Sequence, residues 1–406
     1  MTKSAQSSYR HDPDEASRPA ARPSGVRALR IAFLIDRLNH DGAARQLVVL
    51  AKALRAAGHP VVVIAFYDDN PLEAELVRSG VAVRTLGKRS RWDVVGFLRR
   101  LVSTVEQERP DVLHSYLGVP NLLAVGLKPW FPPVKIVWAV RASDTRMQWY
   151  GWIPRILEGL APLLSRYPDL IVANSIAGRQ HAVERGYPPE KVVVVSNGID
   201  TAQFGPCAEA RLRFRARWRI APTDMLVGVV GRLDPIKDHA TFLRAAGLLR
   251  TARGHVRFAC VGDGPDDYVF HMRRLAASLG LRDRVVWVPH QTDMSEVYNG
   301  LDVLCSTSLS EGFPNVVAEA MACGVPCVVT DVGDSARVAG RYGVAIPAGD
   351  ARALADGIRA VLDTPDRERA RTAGASRSWI ANEFSVDRLV RTSERALGSL
   401  LEGRAR

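Results

Sequence analysis

From Leu29 onward, short apolar runs of strand length alternate with stretches of helix length, and this constrains the fold more than any other feature of the chain. Residues 30–36 (RIAFLID) read as a buried strand, followed by a polar loop through Asp41 and Gly42. Residues 43–57 have helical periodicity that stops at Gly58, and 60–67 (PVVVIAFY) read as the next strand. Further apolar runs fall at 81–86, 112–115, 136–140, 170–173 and 192–195. Strands that are apolar on both faces and separated by helices predict a parallel sheet covered on both sides.

The pattern then repeats without close sequence similarity. After Asn197-Gly198-Ile199-Asp200, strands are expected at 226–230, 256–261, 285–288, 303–305 and 325–330. Helices are expected at 238–250, 266–279, 294–299 and 315–323. A chain of 406 residues suits two domains of this kind. The predicted division is a tail at 1–28, a first Rossmann-like domain at 29–200, a second at 201–381, and a closing segment at 382–406. The closing helix, 385–401, carries Leu389, Val390, Leu397 and Leu400 on one face and needs an apolar surface to cover it. The fold class is thus α/β, two doubly wound domains. Ligands of such sheets bind at strand carboxyl ends, and clefts between domains are a second favoured place. Both rules point to the gap between the two sheets.

Composition narrows the partners. No apolar run approaches the roughly 20 residues of a membrane-spanning helix. The Ser-, Pro-, Ala- and Arg-rich start lacks the apolar stretch of a secretory signal, so the expected location is cytoplasmic. Five cysteines (Cys207, Cys260, Cys305, Cys323 and Cys327) are an odd number, and no Cys/His set completes a zinc site; free thiols are expected. A net charge of +12 favours anionic partners without choosing among nucleotides, phosphorylated lipids, acidic membranes and nucleic acid.

The chemistry concentrates in residues 311–334 (EGFPNVVAEAMACGVPCVVTDVGD). Pro314 stands where a helix begins, Gly324 where it stops and Pro326 where the next strand opens. The helix amino terminus near Gly312, Phe313, Pro314 and Asn315 therefore turns free amides toward a strand-end crevice, an arrangement that favours phosphate or sugar oxygens. Glu311 and Glu319 flank that terminus, and carboxylates suit neighbouring hydroxyl pairs. A second constellation, Gly231-Arg232-Leu233-Asp234-Pro235-Ile236-Lys237-Asp238, leaves the first strand of the second set. Two cations on one diphosphate would stabilise charge that grows as a nucleotide departs. Gly262-Asp263-Gly264-Pro265 follows another strand and reads as a tight turn or a weak phosphate loop.

These residues resemble the retaining, nucleotide-sugar-dependent glycosyltransferases of family 4, which have the GT-B fold. The resemblance rests on E-G-F-P-N-V-x-A-E-A-M-A-x-G-x-P, preceded by G-R-L-x-x-x-K, and extends from about Arg30 to the last helix. It implies an acceptor-binding first domain, a donor-binding second domain, and a closing helix that returns to the first. It implies that Glu311 contacts the donor sugar and Glu319 the ribose, and that Arg232 and Lys237 hold the diphosphate. Backbone amides around Gly312, Phe313, Pro314 and Asn315, with Gly42 and Gly264, would complete the donor site. The first half departs from the pattern: Asp41-Gly42 stands where the family has a glycine pair, and in Asp111-Val112-Leu113-His114-Ser115-Tyr116 the second histidine is a tyrosine. His114 is a catalytic or a structural residue on this reading. Arg141 and Asp144 (in VRASD) and Asn174 resemble acceptor-side loops.

The resemblance further implies transfer without a protein nucleophile or a metal, a nucleotide sugar as co-substrate, and a sugar or lipid-linked saccharide acceptor of cell-surface polysaccharide or glycolipid type. A disaccharide phosphorylase or synthase on the same scaffold is the enzymatic alternative. A nucleic-acid binder is the non-enzymatic one, suggested by residues 211–219 (RLRFRARWR), although no nucleic-acid module is present. Residues 89–102 (RSRWDVVGFLRRLV) fit either an anionic membrane surface, at the inner face of the plasma membrane, or a helix packed on the sheet.

Overall fold

The computed structural model describes residues 27–90, 92–141, 159–250 and 255–402. It contains two parallel sheets. The first has seven strands: β1 (Ile31–Ile35), β2 (Val61–Ala65), β3 (Ala82–Thr85), β4 (Val112–Tyr116), β5 (Lys135–Val140), β6 (Leu170–Ala173) and β7 (Val192–Val194), in the order β3-β2-β1-β4-β5-β6-β7. The second has six: β8 (Met225–Val230), β9 (Val256–Val261), β10 (Val285–Val288), β11 (Val303–Ser306), β12 (Cys327–Thr330) and β13 (Val344–Ile346), in the order β10-β9-β8-β11-β12-β13. The two-domain α/β class expected from the sequence is the observed one. Strand β13 is the addition. It has three residues and follows Gly343 directly, too short to show a periodicity.

Every strand pair is parallel, as with Ile31 beside both Val61 and Val112. Alternate residues face opposite layers, so each sheet has two cores. In the first sheet Phe33, Val63 and Val137 pack under the Gly42–Ala56 helix, while Ala32, Ile64 and Trp138 pack under the Val94–Glu108 helix. In the second, Leu304 and Val329 meet the Asn315–Ala322 helix, while Val227, Phe258 and Val303 meet the His239–Leu249 helix.

Among the described residues the chain crosses between the domains twice, and the two crossings touch. Ile199 on the way out pairs with Ser385 on the way back, and the Ile199 amide donates to the Phe384 carbonyl at 2.7 Å. Gln46 holds the outgoing strand through both amide atoms, donating to and accepting from the Gly198 backbone at 3.1 Å. The closing helix, Val386–Glu402, then buries Leu389 and Leu397 in the core of the first sheet.

The basic run 211–219 is absorbed into the second domain. Phe214 is buried, Arg211 and Arg215 pair with Asp302, and Arg213 and Arg217 pair with Glu296. Four of the five arginines of the run are thus paired with carboxylates of their own domain. The five cysteines are free and four of them are buried.

Candidate active site

In both sheets the strand order reverses beside the first strand of the set, between β1 and β4 and between β8 and β11. Loops leaving such neighbouring strands in opposite directions open a crevice at their carboxyl ends. The sequence motifs fall there. Residues 231–238 leave β8, residues 307–314 leave β11, and the Asp36–Asp41 loop leaves β1.

Asp234 shapes the first loop by accepting from the Ile236 amide at 2.9 Å, which starts the one-turn helix Pro235–Lys237. The turn delivers Lys237 inward, where its Nζ lies 2.5 Å from Glu311 Oε1. Ser308 Oγ donates to the same carboxylate oxygen at 2.7 Å, and Thr307 Oγ1 donates to the Lys237 carbonyl at 2.7 Å. The two motifs are thus bonded to one another. Arg232 leaves the same loop but faces solvent, its guanidinium on Asp234 at 2.7 Å. Gly264 touches the loop through backbone: a Cβ there would sit 2.0 Å from the Leu233 carbonyl oxygen. The Leu233 amide in turn donates to the Asp263 carbonyl at 2.8 Å. Gly264 thereby supports the loop from beneath.

Glu319, within the Asn315–Ala322 helix, is buried at the floor of the crevice and accepts from the Tyr298 hydroxyl at 2.5 Å. Burial pushes its carboxyl up to about 7, and the Tyr298 hydrogen bond and the charge of Arg45 pull the other way. Arg45 belongs to the first domain. It sits in the first turn of the Gly42–Ala56 helix, so the two domains share this corner. His40 and His290 also face each other from opposite domains, ring centres 5.5 Å apart.

On the first-domain side Asp41 caps its own helix, accepting from the Ala43 and Ala44 amides at 2.9 and 3.0 Å. That carboxylate occupies the amides a diphosphate would otherwise meet. Gly42 serves close approach instead: a Cβ on it would lie 3.2 Å from Asn315 Nδ2. The Asn315 amide oxygen accepts from Asn197 Nδ2 at 2.9 Å, and Asn197 accepts from Arg141 at 2.7 Å. Arg141 also donates to the Tyr116 hydroxyl at 2.6 Å. A polar chain therefore runs from β4 to the start of the Asn315–Ala322 helix. Gly312 abuts Asn174, whose Oδ1 would stand 3.0 Å from a Cβ on that glycine. Phe313 is buried against Phe384, and Pro314 precedes the helix.

His114 does not end its strand. It is the third of five residues in β4, 3% exposed, packed between Phe33 and Tyr116. Both its ring nitrogens, Arg141 Nε and Asn174 Oδ1 lack hydrogen-bond partners among the described residues. Burial, reinforced by the Arg141 charge, pushes the His114 imidazole down to about 3, so it is neutral at any working pH. Asp144 lies outside the described residues. An open hollow of about 310 Å³ separates Ala177, His181 and Glu184 of one domain from Leu309, Ser310 and Val332 of the other.

No motif or spacing pointed to Tyr298. Arg45 was discoverable, since at three residues beyond Gly42 it shares that glycine's helix face.

Residues 40–203 match the family described as Glycosyltransferase Family 4, and residues 224–364 match Glycosyl transferases group 1. Among curated relatives, the D-inositol 3-phosphate glycosyltransferase of Thermobispora bispora is 34% identical over 223 residues, covering 52% of this chain and 51% of that protein. Its namesake from Salinispora tropica is 33% identical over 239 residues, covering 55% and 49%. The chain thus spans about half the length of the curated relatives it matches. Among solved structures, Anabaena HepE in complex with UDP-glucose superposes with a TM-score of 0.80 at 22% identity, over 91% of this chain and all of that one (100%). Sucrose-phosphate synthase from Thermosynechococcus elongatus gives 0.76 at 20% identity, over 93% and 100%. At such identities the structural likeness establishes the fold.

Proposed function

Because the chain belongs to the family 4 type of glycosyltransferase with the GT-B fold, we propose that it transfers a sugar from a nucleoside-diphosphate donor to a hydroxyl of a sugar, polyol or lipid-linked saccharide acceptor. The observation that carries this reading is the Lys237–Glu311 pair, 2.5 Å apart at the mouth of the β8/β11 crevice. A cation for phosphate and a carboxylate for sugar hydroxyls stand side by side, as a donor's adjoining phosphate and hexose require.

In this reading the nucleoside lies over Glu319, which takes the ribose hydroxyls, and the diphosphate lies along Lys237. Arg232 exchanges its Asp234 contact for the phosphates as charge develops. Glu311 and the 312–315 backbone hold the transferred sugar. Arg141 Nε and Asn174 Oδ1, buried and without partners among the described residues, suit acceptor or sugar hydroxyls, because satisfying them on binding removes a desolvation cost. The neutral His114 beneath them can serve as a hydrogen-bond partner but not as a cation. In this reading the transfer retains configuration by same-face attack: the departing phosphate accepts the acceptor's proton, and Lys237 and Arg232, rather than a metal, offset its charge. Bound UDP-glucose in HepE and the inositol phosphate acceptors named for the relatives make UDP-hexoses and polyol phosphates the first substrates to try. A thermal-shift panel of nucleotide sugars tests the reading, since a ligand of the folded state alone raises its stability. A panel in which no nucleoside diphosphate moves the transition would sink it.

A membrane-bound acceptor is favoured by one further observation. At the start of the Val94–Glu108 helix, Trp92 is 81% exposed and Val94 and Val95 are more than half exposed. The helix still buries Phe97, Leu101 and Val105, so it is packed on the sheet and apolar at its outer end. Arg89 and Arg99 flank that end. The combination suits docking on anionic lipid. No helix among the described residues is long and apolar enough to cross a membrane. Flotation with vesicles of phosphatidylglycerol, but not of phosphatidylcholine alone, is expected; a chain that ignores both would overturn this part.

A further inference from the structure

The Ile176–Glu184 helix starts at the seam between the domains, and its first amides are satisfied from both sides. Ser175 Oγ accepts from the Gly178 amide at 2.9 Å, the usual local cap. The Ile176 and Ala177 amides donate instead to Asp334, at 3.1 and 3.0 Å, one to each carboxylate oxygen. Asp334 belongs to the second domain and is 3% exposed. It spends both oxygens on the other domain's helix, where the helix dipole strengthens the contact. Arg337 holds the carboxylate from behind at 3.0 Å, and its guanidinium lies over the Phe384 ring, 5.3 Å from its centre.

The same turn supports the donor loop. The Asp334 amide donates to the Gly312 carbonyl at 3.1 Å. Gly333 has φ 57°, and a Cβ there would lie 2.0 Å from the Glu311 carbonyl oxygen, so only glycine brings the turn so close. Phe384, beneath Arg337, packs against Phe313, ring centres 5.3 Å apart. Movement of the Ile176–Glu184 helix therefore pulls on a carboxylate whose own backbone carries residues 311–313.

We propose that Asp334 is a positioning residue, latching the first domain's Ile176–Glu184 helix across the cleft and thereby setting the Glu311–Phe313 loop in place for transfer. This inference rests on the transferase reading for its purpose but not for its geometry. The latch spans two domains rather than one core, so its loss shifts an open–closed equilibrium without unfolding either sheet.

Hydrogen exchange on the full chain without ligand tests it, comparing wild type with Asp334→Ala and Asp334→Asn. In Asp334→Ala the amides of 176–177 and those of 311–313 should both exchange faster, by on the order of tenfold or more, while β1 and β8 stay protected. Asp334→Asn, which keeps one acceptor oxygen, should fall between. Faster exchange at 176–177 with 311–313 unmoved would reduce Asp334 to a cap and overturn the coupling; no change at either place would overturn the latch. Turnover of UDP-glucose gives the functional arm, with kcat lowered about tenfold and KM for the donor moved far less, because donor contacts in the second domain persist. A fall confined to melting temperature, with kcat intact, would also overturn the proposal. A wild-type chain that does not bind UDP-glucose counts against that donor and leaves the exchange result to decide on the latch.

Discussion

At Glu319 a single carboxylate has to be both buried and charged. Removal from water raises its pKa to about 7, and the Tyr298 hydroxyl and the Arg45 charge lower it from a still higher value. The folded value exceeds the ordinary 4.5, so folding stability from this group declines as pH climbs from about 4.5 through 7. Ribose binding runs the opposite way, because hydroxyls donate to the ionised form. Nucleoside-diphosphate affinity should therefore strengthen through a midpoint near 7, and Tyr298→Phe, which removes a donor to the carboxylate, should move that midpoint upward. Calorimetric titrations between pH 5.5 and 9 check this; identical midpoints would assign the dependence elsewhere. Lys237 makes a sharper case, since Nζ is committed to Glu311 at 2.5 Å before any ligand arrives. Lys237→Ala should lower turnover by on the order of 100-fold, as loss of one preorganised charge does, with the fold intact by circular dichroism. Both Lys237 and Glu311 were readable from the chain because their motifs follow strands directly. Tyr298 was not, because it stands 21 residues before its partner on a different helix, and no local pattern links the two.

Loops and turns show where sequence patterns lose their force. Most strands of both sheets stood out because their runs are largely apolar, as in the fully buried β1, β2 and β12. Strand β13 and the helices Ala351–Asp363 and Asp366–Glu383 did not, the strand for its brevity and the latter helix because its residues are mostly polar, with only Ser376 and Ile380 buried. The Gly262–Pro265 turn was visible as a glycine cluster but ambiguous in purpose. The backbone contact resolves it: a methyl group on Gly264 would meet the Leu233 carbonyl at 2.0 Å, so alanine must push residues 231–234 away. Gly264→Ala is expected to cost about 1–3 kcal/mol by overpacking and to lower kcat/KM more than the stability loss explains, since Arg232 and Lys237 ride on the displaced loop. Urea unfolding paired with kinetics separates the two; a stability loss with unchanged kcat/KM would detach the turn from the site.

At the scale of the whole molecule, two sheets are tied by crossings that meet at Ile199 and Ser385, and the Val386–Glu402 helix, although it follows the second sheet, packs on the first. The amphipathic stripe of that helix was legible in the residues; its target, the first domain, came from the family resemblance, because a stripe alone does not say which of two apolar surfaces it covers. Leu397 is 2% exposed in the core that includes Leu47, Leu50 and Leu54. Leu397→Ala should remove about 2–5 kcal/mol, the range for a buried leucine truncated to a cavity, and the loss should fall on the β1–β7 sheet although the substitution lies beyond β13. Hydrogen exchange resolves the domains: β1 and β4 amides should exchange faster through global opening of their sheet, and β8 and β11 should hold. Should β8 and β11 weaken equally, the two sheets unfold as one unit. The paired crossings and the Asp334 contact would then bind the domains too tightly for the cleft to open and close by hinge motion.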